Sequence, residues 1–256
     1  MKYILPCLPL IFLTSCLTGL IQEGTTFLAE DFEGYSNTED LFQGPSSKWG
    51  FFQQTESDNY IEFDTTRPHS GEQCLKIFAK KGREGFASKS DLANTDMGFR
   101  EGDIIHVSMW FYIEGTKDLT DIFLFDIEEN VQIGAGPGLR LALESPVGFL
   151  KIERRKMLES DIEPVEENQI PFPRNQWVHL EIEIQLSRNK DGYIQVFQND
   201  TLLIDAQQER TLPRDRIVFI QGAKGIYDNV QVGITANSLQ HDATIYVDDI
   251  EILQIN

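Results

Sequence analysis

Histidine exchanges protons near neutral pH, so the four histidines of this 256-residue chain are the first candidates for chemistry. His106 and His179 each alternate with aliphatic residues in a strand-like pattern, which predicts that both face away from the core. His69 lies in a predicted turn and His241 in a polar loop. Their spacing matches no zinc-binding helix motif and no nucleophile elbow. A hydrogen-bonded surface histidine is the favoured interpretation at each position, with a catalytic base as the alternative.

Two glutamates follow His179 on the same strand pattern. Glu181 and Glu183 share its outward face and are separated by about two strand rises of 3.3 Å. Glycoside hydrolysis needs two carboxylates that flank a sugar, about 5 Å apart for retention and wider for inversion. Acidic residues are abundant, with 41 Asp and Glu, so an acidic outer strand face is favoured over a hydrolytic pair.

Aromatic residues on the strand of His106 point to sugar binding. Trp110 and Tyr112 share its outward face, and aromatic rings stack on the apolar C–H side of a sugar ring. Arg140 and His179, expected on neighbouring strands, would supply polar contacts. The predicted glycan-binding site therefore consists of Trp110, Tyr112, Arg140 and His179. The alternative is that this face packs under a loop and Trp110 belongs to the core.

The charge balance excludes one class of partner. The formal net charge is −19, whereas nucleic-acid binding requires a basic face, so no nucleic-acid partner is expected. An acidic surface favours solubility of an exported protein. A polyanionic ligand would require basic residues to concentrate locally.

The first 15 residues have the pattern of an export signal. Lys2 precedes an apolar run over residues 4–13 that is too short to span a bilayer as a helix. Leu13-Thr14-Ser15-Cys16 resembles the bacterial lipobox, which implies lipidation at Cys16, a lipidated tether over residues 16–26 and a location in the cell envelope, at the outer membrane or cell surface. A simple secretory signal is the alternative. Cys74 would then be the only free thiol of the mature chain, and its strand pattern predicts burial.

Residues 27–256 are predicted to form one domain. Short segments of period two alternate with turn signals, at 104–113, 139–144, 149–154, 177–186, 193–197, 217–220, 230–234 and 244–253. Many short strands with regular turns predict an all-β sandwich of two antiparallel sheets.

Three segments make the fold more specific. Residues 30–33 open the domain, 246–252 close it, and between them a W-x-H segment at 177–179 precedes a hairpin strand at 192–200. This set resembles the concanavalin A-like jelly rolls, which include laminin-G-type modules, carbohydrate-binding modules and polysaccharide lyases related to heparinase I and glucuronan lyase. The resemblance covers residues 29–253 without a long matching run.

The lyase resemblance implies a base, an acid and a group that neutralises a uronate carboxylate. The family carries these on R-x-E, Q-x-H and Y-x-K-x-G-x-Y strands. In this chain, the segment that corresponds to the R-x-E strand holds Lys89 and Asp91 instead. The segment that corresponds to the Q-x-H strand, at 122–133, holds no histidine. The segment that corresponds to the third strand holds Gln231 where lysine is expected. If the chain is a lyase, the candidate catalytic residues are His106, His179, Lys89 and Gln231.

Carbohydrate-binding jelly rolls also suggest a structural calcium ion. The corresponding oxygens would come from Asp31 or Glu33, from the carbonyls of the turn that contains Glu72, and from Asp249. Calcium takes six to eight hard oxygen ligands. No organic cofactor is expected.

The departures from the lyase strands favour a surface-anchored lipoprotein that binds a polysaccharide or oligosaccharide without catalysis. A divergent polysaccharide lyase is the first alternative. A structural or partner-binding envelope protein is the second.

Overall fold

The computed structural model describes residues 24–45, 47–131, 136–214, 225–238 and 241–255. The signal segment, Cys16 and the predicted strand at 217–220 lie outside these residues. The described strands are β1 (Gly24–Glu30), β2 (Phe51–Gln54), β3 (Tyr60–Asp64), β4 (Cys74–Ala79), β5 (Ser88–Asn94), β6 (Phe99–Arg100), β7 (Ile104–Ile113), β8 (Ile122–Glu128), β9 (Gly138–Glu144), β10 (Phe149–Glu153), β11 (Trp177–Gln185), β12 (Gly192–Gln198), β13 (Thr201–Glu209), β14 (Ile226–Tyr227), β15 (Asn229–Asn237) and β16 (Ala243–Ile255).

Two large antiparallel sheets confirm the predicted jelly-roll sandwich. The eight-stranded sheet has the order β13-β12-β11-β7-β16-β4-β3, with β1 also paired to β16. The six-stranded sheet has the order β10-β9-β8-β15-β5-β2. Residues 24–26, which were predicted as the end of the tether, are already paired in β1. None of the described helical turns is long and apolar enough to cross a membrane.

Alternation along β7 shows how sequence becomes packing. Ile105, Val107, Met109, Phe111 and Ile113 are buried in the core, while the residues between them lie half-buried on the other face. Period-two side chains of a strand point to opposite sides, so one apolar face can meet the second sheet. The side chains contributed by both sheets form one hydrophobic cluster. Cys74 is buried, as its strand pattern predicted.

The two central strands of the six-stranded sheet depart from simple alternation. Every residue of β8 and of β15 is buried, on both faces of the sheet. One face meets the core. The other carries charged and amide side chains, which positions a polar site on the outward side of this sheet.

Candidate functional site

The outward face of the six-stranded sheet carries a continuous row of polar side chains. Glu153 lies opposite Arg140, Arg140 opposite Asp126, and Asp126 opposite Gln231. Directly opposed residues point to the same side of a sheet. We call this surface the polar face and define it by Lys89, Asp91, Asp126, Glu128, Arg140, Lys151, Glu153, Asn229, Gln231 and Thr235.

An ion-pair chain runs through the middle of the polar face. Arg140 donates from Nε to Asp126 Oδ2 at 2.8 Å, and its Nη1 lies 3.6 Å from Glu153 Oε2. Thr235 Oγ1 donates to the other oxygen of Asp126 at 2.7 Å. Burial alone would raise the pKa of Asp126, but the Arg140 guanidinium and the nearby Lys89 hold it below its usual value. The lowered pKa favours the ionised form of Asp126, and the carboxylates of Asp126 and Glu153 compensate the charge of Arg140.

Glu128 anchors a second group of contacts. Its Oε1 accepts hydrogen bonds from Asn229 Nδ2 at 3.1 Å and Gln231 Nε2 at 3.0 Å. Lys156, from the turn after β10, places Nζ 3.4 Å from Oε2. Burial raises the pKa of Glu128 and lowers that of Lys156. Desolvation therefore favours the neutral form of each member of this pair.

Several buried oxygens of the polar face lack a hydrogen-bond partner among the described residues. They are both carboxyl oxygens of Asp91, Oδ1 of Asn229, Oε1 of Gln231 and Oε2 of Glu153, the last of which lies 3.6 Å from Arg140 Nη1. Buried polar atoms are usually satisfied, so a cluster of unsatisfied ones requires an explanation such as water or a ligand. Burial raises the pKa of Asp91 well above its usual value, which favours its protonated form. The cluster therefore consists of buried acceptors, to which a protonated Asp91 adds one donor.

Lys89 is the cation of this surface with the greatest freedom to meet a ligand. It is partly exposed and forms no ion pair with a described residue, although its charge opposes the rise in the pKa of Asp91. Lys151, by contrast, is buried between Glu144 and Asp161. A negatively charged ligand group would meet Lys89 first.

The predicted catalytic set is divided between the two sheets. Lys89 on β5 and Gln231 on β15 lie on the polar face. His106 and His179 lie on β7 and β11 of the eight-stranded sheet, on its outward side. The hydrophobic core separates these pairs, so the four residues cannot act on one substrate atom. Among the described residues, the polar face holds neither histidine nor tyrosine.

The predicted glycan-binding set is also divided, and one expectation is wrong. Arg140 does not neighbour His179: its strand pairs with β8 and β10 in the other sheet. The sequence pattern predicted a strand at 139–144 but gave no information about which sheet holds it. Trp110, Tyr112 and His179 do lie together on the outward face of the eight-stranded sheet.

Trp110 has ring partners within the protein. The His69 ring stacks on it at 3.7 Å between centroids, and the His179 ring stacks at 4.7 Å. His69 bonds Asp249 on the β16 side of β7, whereas His179 comes from β11 on the opposite side, so Trp110 lies between the two imidazoles. On Tyr112 next to it, the Arg67 guanidinium lies 4.7 Å from the ring centroid.

The junction predicted to hold calcium is assembled around the turn that precedes β4. Glu33 Oε1 accepts from the backbone of Glu72 at 2.8 Å, and Asp249 Oδ1 accepts from Ser70 Oγ at 2.9 Å. Asp31 and Asp249 line one cavity of about 320 Å³. These carboxylates already accept hydrogen bonds from the chain, and calcium coordination stays a prediction.

Sequence reasoning missed several members of the polar face. Asn229 and Glu153 were not singled out, and neither was Lys156, which contacts Glu128 of this face. The available signal was the segment Phe149-Leu150-Lys151-Ile152-Glu153, in which charged residues alternate with apolar ones on a strand. Such charges are usually solvated, and only the sheet order shows that these face a buried network.

Comparisons with known proteins agree with this architecture. The sequence family described as "Polysaccharide lyase" matches residues 42–251. No curated protein sequence matches the chain. The structure is similar to an endo-β-1,4-glucuronan lyase from the fungus Trichoderma reesei, with a TM-score of 0.66, 12% identity, and coverage of 90% of this chain and 95% of that one.

Two further structures share the fold. A cellulose induced protein, Cip1, has a TM-score of 0.61 and 19% identity, with 88% of this chain and 96% of that chain covered. An alginate lyase from Aplysia kurodai has a TM-score of 0.55 and 14% identity, with 90% and 99% covered. The family match covers most of the sequence and includes all the strands that form the polar face. The chain belongs to the polysaccharide lyase family.

Proposed function

We propose that the protein binds a polysaccharide across the polar face without cleaving it. The observation that carries this proposal is the group of buried, unpartnered oxygens on Asp91, Asn229 and Gln231. Sugar hydroxyl groups both donate and accept hydrogen bonds, so they can pair with oxygens of this kind. Each of these oxygens has almost no accessible surface, so a glycan reaches them only when the atoms that cover them move aside.

The polar row extends toward an exposed aromatic ring. Gln231 lies opposite Ala93, and Ala93 lies opposite Phe51 on the edge strand β2. Phe51 is 41% exposed and shares the side of the sheet that carries the polar row. A sugar ring that passes Gln231 would reach this ring face next. Polar contacts followed by an aromatic platform suit a linear chain of several sugars.

The absence of cleavage is inferred from the chemistry of the same residues. β-Elimination needs a base near the uronate C5 proton and a group that neutralises the uronate carboxylate. Among described residues the polar face supplies no histidine or tyrosine, and Arg140 is held by Asp126 and Glu153. Among the described residues of the polar face, Lys89 is the cation that forms no ion pair.

A divergent lyase is the second candidate, and Lys156 favours it. Burial lowers the pKa of this lysine, so a larger fraction of it is neutral and able to accept a proton. Its position beside Glu128 places it at the polar face. This candidate requires a uronate-containing substrate and an unsaturated product.

Binding and cleavage can be measured on the same samples. A panel of neutral and uronate polysaccharides is titrated into the full chain, while ultraviolet absorbance of unsaturated uronate is followed. Binding without new absorbance is the expected result. Absorbance that grows with time, and that disappears in Lys156→Ala, would establish the lyase instead.

The location of binding is tested with two glutamines. Gln231→Ala removes a polar-face amide and should weaken affinity about tenfold, equivalent to about 1.4 kcal/mol. Gln195→Ala is the matched control, because Gln195 lies on β12 and contacts Asp205 in the other sheet. Equal losses in both variants, or none in either, would contradict the proposed surface.

We also propose that Cys16 carries a lipid that holds the domain at the bacterial cell envelope. The support is the lipobox-like Leu13-Thr14-Ser15-Cys16, which lies outside the described residues. Anchoring would keep the polar face close to glycans of the cell's surroundings.

A further inference from the structure

A histidine and two carboxylates meet on the outward face of the eight-stranded sheet, away from the polar face. His179 and Glu181 occupy alternate positions of β11, so both point outward. Asp200 comes from the two-residue turn between β12 and β13, where Asn199 and Asp200 both have positive φ, 48° and 62°. These angles fit a tight hairpin turn of the type that matches strand twist.

Hydrogen bonds fix that turn against β11. Asn199 N donates to the carbonyl of His179, and His179 N donates to Asn199 Oδ1, both at 2.9 Å. The Asp200 backbone is therefore held beside the imidazole. The Asp200 side chain is 92% exposed, so a change of its rotamer alone brings the carboxylate to a metal ion at His179.

The three donor atoms have separations close to those of a metal site. Ligand atoms of His179, Glu181 and Asp200 all lie within 4.8 Å of one another, and no other group of three such residues in the described chain does so. His179 Nδ1 lies 3.7 Å from Glu181 Oε2 and 4.0 Å from Asp200 Oδ1. A tetrahedral zinc with bonds of about 2.0–2.1 Å separates its ligands by about 3.4 Å. Small side-chain movements close the difference.

The two less exposed ligands also have outer partners that orient them. Ser108 Oγ lies 2.8 Å from His179 Nε2, which leaves Nδ1 facing the carboxylates. His106 Nε2 lies 3.4 Å from Glu181 Oε1, the oxygen that the metal would not use. Metal-binding histidines and carboxylates commonly carry such partners, which fix the tautomer and the ring orientation.

We propose that His179, Glu181 and Asp200 bind a divalent transition metal of the zinc class. Three protein ligands leave one position for solvent. The imidazole nitrogen favours zinc, copper, nickel or cobalt over calcium, which takes oxygen ligands. The site is independent of glycan binding, since it lies on the other sheet. Sequence spacing did not reveal it because Asp200 reaches it through hairpin pairing.

Calorimetric titration of Zn²⁺ into the untagged full chain tests the site. One equivalent should bind with a dissociation constant below about 100 μM, which corresponds to about 5.5 kcal/mol or more. Added Ca²⁺ in large excess should not displace it. Absence of Zn²⁺ binding up to 1 mM, on the order of 4 kcal/mol, would overturn the proposal.

Matched variants locate the ion. Glu181→Gln and His179→Gln should each weaken Zn²⁺ affinity at least tenfold. Glu183 lies two residues further along the same face and accepts a hydrogen bond from the Tyr193 hydroxyl. Glu183→Gln should leave the Zn²⁺ affinity unchanged. Metal-free melting temperatures of all variants check folding. Retention of affinity in either ligand variant, or equal loss in the Glu183 control, would show that the ion binds elsewhere.

Tryptophan fluorescence provides a second readout. The Trp110 ring stacks on His179 with centroids 4.7 Å apart, so Cu²⁺ bound at this imidazole should quench its emission. Quenching should saturate at one equivalent in the wild type and disappear in His179→Gln. Saturating quenching that persists in His179→Gln would contradict the site.

Discussion

Asp91 is the residue in which burial and charge are most strongly opposed. Its side chain is fully buried, both oxygens lack a hydrogen-bond partner, and burial raises its pKa well above the ordinary 3.8. Asp126 and Glu128 raise that pKa further, while Lys89 opposes the rise. In the absence of a ligand, a neutral side chain would suit this position better than a carboxylate.

Asp91→Asn should therefore stabilise the free protein in a pH-dependent manner. Above pH 3.8 the unfolded chain releases this proton while the folded chain keeps it, so wild-type stability falls as pH rises toward the folded-state pKa. The loss has a limiting slope of about 1.4 kcal/mol per pH unit. The variant lacks it, so its advantage should be near zero at low pH and grow toward neutrality. Thermal melts across this pH range provide the measurement, and an advantage that does not vary with pH would contradict a buried neutral carboxyl.

Trp110 has a structural prediction of its own. Because His69 and His179 flank its ring, Trp110→Ala should remove two aromatic contacts and some burial, at a cost of about 2–3 kcal/mol. Glycan affinity of the folded fraction should change little. A denaturant melt and a binding isotherm on the same variant check this. Unchanged stability with a large loss of affinity would instead mean that the ring stacks on sugar.

At the scale of elements, β9 and β10 contribute Arg140, Lys151 and Glu153 to the polar face, and the adjacent strands β5, β15 and β8 contribute its other residues. The lyase resemblance named their three segments, and the sheet order brings them side by side. Gly233 is essential to this pairing: it has a φ of 135°, and an added Cβ would lie 2.9 Å from Asp91 Cα. The close approach of β15 to β5 at Gly233 places the backbone of Asp91 directly against this glycine.

Gly233→Ala should therefore disturb both stability and the site. The strained φ alone costs about 1–3 kcal/mol, and contact with the backbone of β5 adds to it. Gly98→Ala is the control, since no heavy atom lies within 4 Å of its added Cβ and its φ is ordinary. Denaturant melts of the two variants should differ clearly. Equal stability would show that β15 can shift away from β5 without cost.

The sequence predicted strands and their faces well, but it did not predict which strands are neighbours. Bounds of β7 agree with the predicted 104–113, and the jelly-roll class is confirmed. The face of a side chain follows from local alternation, whereas sheet membership depends on long-range pairing. Arg140 illustrates the limit: its strand was predicted, but its partners Asp126 and Glu153 come from β8 and β10 of the six-stranded sheet. Asp200 shows the same limit, because its approach to His179 depends on the pairing of β12 with β11.

At the scale of the whole molecule, the net charge affects which ligands can approach the domain. A net charge of −19 repels polyanions at long range, so a uronate chain must approach the polar face through local cations such as Lys89. Salt should therefore strengthen the binding of an anionic glycan as long as surface repulsion outweighs the local attraction.

Anchoring is tested at Cys16. The wild-type chain should incorporate labelled palmitate and sediment with membranes, because acyl chains bury about 0.8 kcal/mol per methylene in lipid. Cys16→Ser should lose the label and appear in the soluble fraction. Label-free wild type, or a serine variant that stays membrane-bound, would argue for a simple secretory signal.

A crystal structure of the protein with a bound oligosaccharide tests the central claim most directly. We expect an intact chain of sugars on the six-stranded sheet, with hydroxyl groups within hydrogen-bond distance of Asp91, Asn229 and Gln231. A cleaved chain with an unsaturated end would contradict binding without catalysis. Sugar bound beside Trp110 on the eight-stranded sheet, with the polar face empty, would contradict the assigned surface.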